Sequence, residues 1–129
     1  MTRTRFINVD LDVVSTRPLR ALANAMERAG STTLHCGRIK TGQYRASFEL
    51  GGDPRSADAA IRALARLVSA LPDSARKLWE SARLRDFAIG LDAGGHPFSF
   101  TCLVKPSTVA MVADLRARIS FVVYAGREE

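Results

Sequence analysis

In the stretch FINVDLDVVSTRP, residues 6–18, a pattern typical of a β-strand is followed directly by residues typical of the start of a helix. Its apolar side chains share one phase of a strict alternation, and its polar side chains share the other. The apolar phase consists of Ile7, Val9, Leu11 and Val13, and the polar phase of Asn8, Asp10 and Asp12. Pro18 suits the first turn of a helix, where its missing N–H would have had no partner. The stretch therefore predicts a half-buried strand at 6–14 that leads into a helix.

The same succession recurs twice further along the chain, at GDPRS (52–56) and at KPST (105–108). In each place a strand-like run ends, a proline follows, and a neighbouring Ser, Thr or Asp can cap the free amides of the next helix. The prolines therefore predict that strands and helices alternate along the chain.

Along the rest of the chain, the spacing of the apolar residues brings the predicted total to six strands and four helices. The strands are expected at 6–14, 33–39, 43–50, 87–92, 97–104 and 120–125. The helices are expected at 17–29, at 57–71, as a short helix around Leu78, Trp79 and Ala82, and at 107–118. The first elements follow a ferredoxin-like order, and a strand-helix-strand tail extends it. We predict an α+β two-layer sandwich with about six strands in one mostly antiparallel sheet and the helices on one face.

Length and composition predict one soluble domain over residues 1–129. The net charge of +6 marks a basic protein and admits an anionic partner. Asp10 and Asp12 interrupt the apolar run near the start, which argues against a secretory signal, and we expect neither membrane contact nor export from the cytoplasm. Cys36 and Cys102 fall in strand-like runs and are expected to be buried, reduced thiols.

The last third of the chain also resembles a known group. A predicted hairpin, a capped helix with Leu115, and the strand ISFVVY at 119–124 are similar in layout to a group of small bacterial domains of unknown function. The segment from Leu71 to Trp79 and the run FAIG at 87–90 fit the same layout. The resemblance implies a bacterial stand-alone domain, and it brings no catalytic residues to this chain.

Asp10 and Asp12 share one face of the first strand, and Glu49 and Arg45 lie on the corresponding face of the third. Clustered carboxylates can hold a divalent cation or act as general acid and base, so a metal-dependent hydrolase is one alternative. The other interpretation is a solvated sheet face on which Arg45 pairs with the carboxylates.

A basic ridge is the second candidate, because Arg55, Arg62 and Arg66 follow one another at i, i+7 and i+11 on one face of the second helix. Such a ridge could bind nucleic acid or a phosphorylated ligand. It is also what the solvent-facing side of an amphipathic helix looks like.

Nucleic acid is disfavoured by the phase of the aromatic residues. A ferredoxin-like sheet that binds RNA stacks bases on aromatic side chains of its open face. Here the aromatic residues share the apolar phase and are expected in the core, at Tyr44, Phe48, Phe87, Phe98 and Phe100.

The sequence predicts neither a catalytic centre, nor a metal site, nor a cofactor. His35 and Cys36 are neighbours in a strand and point to opposite faces, and His96 lies in a turn. We therefore expect a non-enzymatic protein-interaction domain of the immunity or regulatory type, with a protein partner. The open sheet face or an edge strand could also pair with its own copy to form a homodimer.

Overall fold

The computed structural model describes residues 2–53 and 55–125, and it is an α+β structure with one open mixed sheet. Five strands and four helices lie within these residues: β1 (Arg5–Ser15), α1 (Arg20–Ala29), β2 (Ser31–Lys40), β3 (Gln43–Leu50), α2 (Ala57–Ser69), α3 (Asp73–Glu80), β4 (Leu84–Asp92), α4 (Pro106–Asp114) and β5 (Arg118–Tyr124). The strand order is β2-β3-β1-β4-β5. The first four strands pair antiparallel and β5 is parallel to β4, so the sheet is mostly antiparallel, as predicted.

The fifth predicted strand, at 97–104, is wrong. Residues 93–105 form an irregular connection between β4 and α4, apart from an isolated bridge of His96 with Arg3. The second hairpin cannot form because β4 pairs with β1 on one edge and with β5 on the other. Phe98 is therefore fully exposed and Phe100 is 40% exposed, instead of lying in the core. Cys102, in the same connection, is only half-buried, as is Cys36 in β2.

The three proline signals have different outcomes. Pro106 is the first residue of α4, as predicted. Pro18 lies ahead of α1, which begins only at Arg20. Pro54 lies outside the described residues, but the Ser56 side chain caps α2 by accepting a hydrogen bond of 3.1 Å from the Ala59 N–H. A polar cap of this kind satisfies an amide that the helix itself leaves free.

Gly30 ends α1 and lets the chain turn straight into β2. Its φ of 116° lies in the left-handed region, which glycine adopts without the steric penalty of a Cβ. Its N–H donates a 3.0 Å hydrogen bond to the carbonyl of Glu27. The tight turn brings α1 back against the strand that follows it.

One hydrophobic core lies between the helices and one face of the sheet. Alternate residues of the central strands point into it, and α1 and α2 pack over β1, β2 and β3. Its strand side chains include Val9, Leu11, Val13, Phe48, Phe87 and Ile89, and its helix side chains include Leu22, Met26, Ile61, Leu64 and Val68. The opposite face of the sheet, which carries Asp10 and Asp12, is called the open face below. No helix in the described residues is long and apolar enough to cross a membrane.

Candidate functional site

Two β-bulges shape the open face into a groove. The pairing of β1 with β4 shifts between Phe6 and Asn8, and the pairing of β2 with β3 shifts between Thr33 and His35. Each shift inserts one extra residue into a strand, which turns that side chain out of the regular alternation. The extra residues, Ile7 and Leu34, both line the groove. The prediction that Ile7 belongs to the core phase is therefore wrong.

Small residues form the floor of this open-face groove. Ala88 and Gly90 of β4 line it between β1 and β5, and Val122 and Tyr124 of β5 bound it on one side. A Cβ placed on Gly90 would lie 3.7 Å from the ring of Tyr124. The hollow between these side chains has a volume of about 240 Å³. The lack of side-chain bulk along β4 is thus what makes the sheet face concave.

The groove is acidic on the β1 and β3 side. Asp10 and Glu49 both line it, together with Asn8. The Asn8 amide donates a hydrogen bond of 2.6 Å to a carboxylate oxygen of Glu49, which fixes that side chain. Within residues 2–53 and 55–125, the Asp10 carboxylate has neither an ion pair nor a hydrogen bond. The structure therefore brings two of the predicted carboxylates into one groove.

The environment of Asp10 raises its pKa above the ordinary value. Partial burial disfavours the charged carboxylate, and the negative charges of Asp12 and Glu49 add to this effect. Arg45 acts in the opposite direction but is outweighed. Asp10 is consequently a carboxyl group whose ionised form would be stabilised by a cation placed in the groove.

Asp12 is on the same face but is already paired. Its Oδ1 accepts hydrogen bonds from Ser47 at 2.6 Å and from Arg45 at 3.1 Å. This is the cross-strand pairing that the sequence offered as the alternative to a metal site. Asp12 and Arg45 therefore lie on the open face without lining the groove, and Arg45 is paired with Asp12.

Asp86 is a carboxylate of the open face that the sequence analysis missed, because the predicted strand began one residue later. It lies directly opposite Asp12 across β1 and β4 and is buried. Its carboxylate accepts a 2.8 Å hydrogen bond from Ser120 and lies 3.5 Å from the Nε of Arg118. Only the pairing of β4 with β5 could have revealed these partners.

The predicted arginine ridge is not a free surface at its centre. Arg62 donates hydrogen bonds to the hydroxyls of Ser107 at 3.0 Å and Thr108 at 3.1 Å, and so connects α2 to the start of α4. Arg55 and Arg66 are exposed. Of the three arginines predicted to form the ridge, only Arg55 and Arg66 are therefore exposed to a ligand.

Asp58 belongs to the same connection between α2 and α4. Its Oδ1 accepts a 2.9 Å hydrogen bond from the Lys105 N–H, ahead of the first residue of α4. Burial works to raise the pKa of Asp58, but hydrogen bonds from Thr108 and Lys105 and the nearby positive charges outweigh it and lower that pKa. The carboxylate therefore has a structural role, which the sequence analysis did not recognise.

Among the residues that the structure describes, no group of three His, Cys, Asp or Glu side chains is placed to hold a metal ion. Asp10, Asp12 and Glu49 share a face without forming such a group. No protein-family model, curated protein or solved structure matches this chain. The groove combines an acidic edge with apolar walls formed by Ile7, Leu34 and Tyr124.

Proposed function

We propose that this chain is a non-enzymatic protein-interaction domain, of the immunity or regulatory type, whose open-face groove receives a basic side chain of a partner protein. The observation that carries the proposal is the position of Asp10. Its carboxylate lies half-buried in the groove beside Glu49 and, within the described residues, forms no ion pair, because Arg45 is paired with Asp12. An arginine or lysine side chain in the groove would neutralise this charge.

The walls of the groove suit the rest of such a side chain. Ile7, Leu34 and Val122 offer apolar surface along which the methylene stem of a lysine or arginine can pack. A guanidinium group is favoured at the end, because it can donate two hydrogen bonds to one carboxylate. The combination of an apolar wall and an acidic end is what a long basic side chain requires.

The size of the groove favours a side chain over a separate small molecule. Its volume of about 240 Å³ lies below the range of roughly 300–1,000 Å³ that is usual for small-molecule sites. A single side chain fills such a space while the flanking residues of the partner cover the open face.

The distribution of charge argues against an anionic ligand here. The chain carries a net charge of +6, yet the groove presents the carboxylates of Asp10 and Glu49. These would repel a phosphate backbone. The alternative ridge at Arg55, Arg62 and Arg66 gains no support, because Arg62 is held by α4. The metal-dependent hydrolase gains none from the placement of Asp10, Asp12 and Glu49.

The proposal also includes a ferredoxin-like order of the first four strands and a location in a bacterial cytoplasm. The antiparallel order β2-β3-β1-β4, with α1 after β1 and α2 after β3, supports a ferredoxin-like unit to which α4 and β5 add a tail. The free cysteines Cys36 and Cys102 support a reducing compartment such as a bacterial cytoplasm.

A titration followed by NMR tests the groove directly. The ¹⁵N-labelled protein is titrated with N-acetyl-arginine methylamide, and with the uncharged N-acetyl-norleucine methylamide as the control ligand. We expect shifts of the Asp10, Glu49 and Gly90 amides with the arginine compound only, at an affinity on the order of millimolar. Asp10→Asn should abolish them, and Gly90→Val should do so by filling the floor.

Asp92→Asn is the matched control variant, because Asp92 lies on the same sheet but is paired with Arg5 at 3.1 Å outside the groove. It should leave the titration unchanged. Shifts that are absent from the groove, or equal in wild type and Asp10→Asn, would refute the proposal. Shifts with Mg²⁺ at Asp10 and Glu49 would instead favour the hydrolase, and shifts with inorganic phosphate at Arg55 and Arg66 would favour the anion-binding module.

A further inference from the structure

We propose that β5 pairs with β5 of a second copy of this chain, antiparallel and about a two-fold axis at Phe121, to form a homodimer with one continuous ten-stranded sheet. This inference stands independently of the groove. It rests on the condition of the two edges of the sheet, on the direction of the backbone groups of β5, and on the side chains that the pairing would bring together.

Beyond its first residue, Arg118, the β5 edge has none of the features that normally prevent strands from pairing. Edge strands are usually protected by charged residues, proline or bulges. The run from Ile119 to Tyr124 contains no charged residue and no proline, and its pairing with β4 is regular throughout. Phe121 and Val123 are nevertheless 56% and 62% exposed. This edge is therefore both open and apolar.

The other edge of the sheet is protected. The pairing of β2 with β3 has two register shifts, one after Thr33 and one after Arg38. Arg38 and Lys40 also place two positive charges on its last residues. A second copy would repel these charges and would not find a regular strand to pair with. The contrast between the two edges points to β5 as the edge that is covered.

The backbone of β5 fixes which residues would pair. The Tyr124 carbonyl accepts a 3.0 Å hydrogen bond from the Ala93 N–H, so the peptide groups of Tyr124 face the β4 side. Because successive residues of a strand present their peptide groups to opposite edges, the outward-facing residues are Val123, Phe121 and Ile119. Among the residues that the structure describes, no other strand pairs with these three residues on that side.

A two-fold axis at Phe121 uses all of these groups. Phe121 then pairs with its own copy, and Ile119 pairs with Val123 of the other chain, on both sides of the axis. These hydrogen-bonded pairs supply about six new hydrogen bonds. Residues directly opposite each other point to the same face, so the two Phe121 side chains meet on one face and cover each other's exposed surface.

The same register is also compatible with the charges. Arg118 comes to lie opposite Tyr124 of the other chain, and its charge is already balanced by the Asp86 carboxylate, 3.5 Å from its Nε. The two copies of Arg118 remain about 20 Å apart, because each is three residues from the axis. The basic charge of the strand therefore does not oppose the pairing.

The mass in solution tests the dimer. Light scattering of the eluting protein, over roughly 10 μM to 1 mM, should give a mass that rises to twice the 14.1 kDa of one chain. Val123→Lys, which places a charge on the paired edge, should remain monomeric at every concentration with unchanged circular dichroism. Ile39→Lys is the matched control, because it introduces the same charge at a similarly exposed apolar residue of β2, and it should still dimerise.

Cysteine cross-linking tests the register. In a Cys36→Ser, Cys102→Ser background, Phe121→Cys should form a disulfide-linked dimer on oxidation, because paired Cα atoms lie about 5.5 Å apart. Val123→Cys should not, because its two copies would be about 13 Å apart. A wild-type chain that stays monomeric, a dimer that Val123→Lys leaves intact, or cross-linking through Val123→Cys but not Phe121→Cys would each overturn the proposal. A chain that pairs only with an unrelated strand would appear as a monomer and would overturn it as well.

Discussion

At the scale of single residues, the carboxyl groups of Asp10 and Asp58 have opposite electrostatic surroundings. Asp10 is partly desolvated beside other carboxylates, which raises its pKa. Asp58 is held by Thr108, by the Lys105 N–H and by nearby positive charges, which lowers its pKa despite burial. A raised carboxyl pKa means that ionisation costs stability in the folded state, whereas a lowered pKa means that ionisation stabilises it. The first arrangement is typical of a binding group, and the second of a structural one.

Asp10→Asn should therefore stabilise the protein at pH 7. The folded state binds the Asp10 proton more tightly than the unfolded state, in which the pKa is near 3.8, the ordinary value of an aspartate. The stability that this proton contributes is complete below that value and is lost as the pH rises through the higher pKa of the folded state. Urea unfolding should give a higher midpoint for Asp10→Asn than for wild type at pH 7, and the difference should vanish near pH 3.

Asp58→Asn is the comparison with the opposite sign. The contribution of Asp58 is present above the unfolded value of 3.8 and is lost as the pH falls through the lower pKa of the folded state. This variant should lose about 1–2 kcal/mol of stability at pH 7, because a charged hydrogen-bond acceptor is replaced by a neutral one. The loss should shrink in acid.

A lower midpoint for Asp10→Asn at pH 7 would contradict the assignment of Asp10 as an unpaired group.

At the scale of elements, local sequence patterns predicted the strands correctly where local sequence determines them. They failed where pairing with a strand distant in sequence determines which segment joins the sheet. The alternation at 6–14 located β1, and the polar phase brought Asp10, Asp12, Arg45 and Glu49 to one face. The pattern at 97–104 looked equally regular, yet it forms no strand because β5 takes the edge of β4. A local pattern in β4 does not indicate that its partner is β5, which lies much further along the chain.

The groove was hidden for a similar reason. Ile7 and Leu34 reach the open face because the pairing shifts beside each of them, and a register shift belongs to two strands at once. Tyr124 reaches it because β5 lies next to β4. The charges of the candidate site were therefore predictable, whereas its apolar walls and its shape were not.

The irregular connection after β4 packs closely against the start of the chain at Gly94. A Cβ on Gly94 would lie 2.4 Å from backbone atoms at Thr2 and Arg3. The Gly95 N–H donates to the Thr2 carbonyl, and the Thr4 N–H donates to the His96 carbonyl, each at 2.8 Å. Glycine permits this contact between the connection and the start of the chain because it has no side chain.

Gly94→Ala should consequently separate the two segments. The clash is with backbone atoms, which cannot rotate away, so we expect the loss of these hydrogen bonds and about 2–4 kcal/mol of stability. Amide hydrogen exchange at Thr4 and Gly95 should accelerate. Gly51→Ala is the control, since its Cβ would meet nothing within 4 Å, and its stability should change by less than about 1 kcal/mol. Equal stability of the two variants would show that the contact contributes nothing.

At the scale of the whole molecule, side chains at the end of α3 join the tail to the first part of the fold. The Trp79 indole N–H donates to the Leu115 carbonyl at 3.2 Å, just after α4. Arg85 of β4 donates to the carbonyls of Trp79 at 3.0 Å and of Arg116 at 2.9 Å. The α4–β5 tail therefore shares these contacts and the common core with the first part of the fold.

We therefore expect the chain to unfold in a single cooperative transition. Trp79 is the only tryptophan and is buried at this junction, so its fluorescence reports on the tail while far-ultraviolet circular dichroism reports on all elements. The two signals should give the same urea midpoint, as two-state unfolding requires. Arg85→Ala should lower the free energy of unfolding by about 2–3 kcal/mol, because it leaves several carbonyls without a donor. Arg83→Ala, at an exposed neighbouring arginine, should change it by less than about 0.5 kcal/mol. Fluorescence that changes at lower urea than circular dichroism would show that the tail is an independent unit, and would contradict a single core.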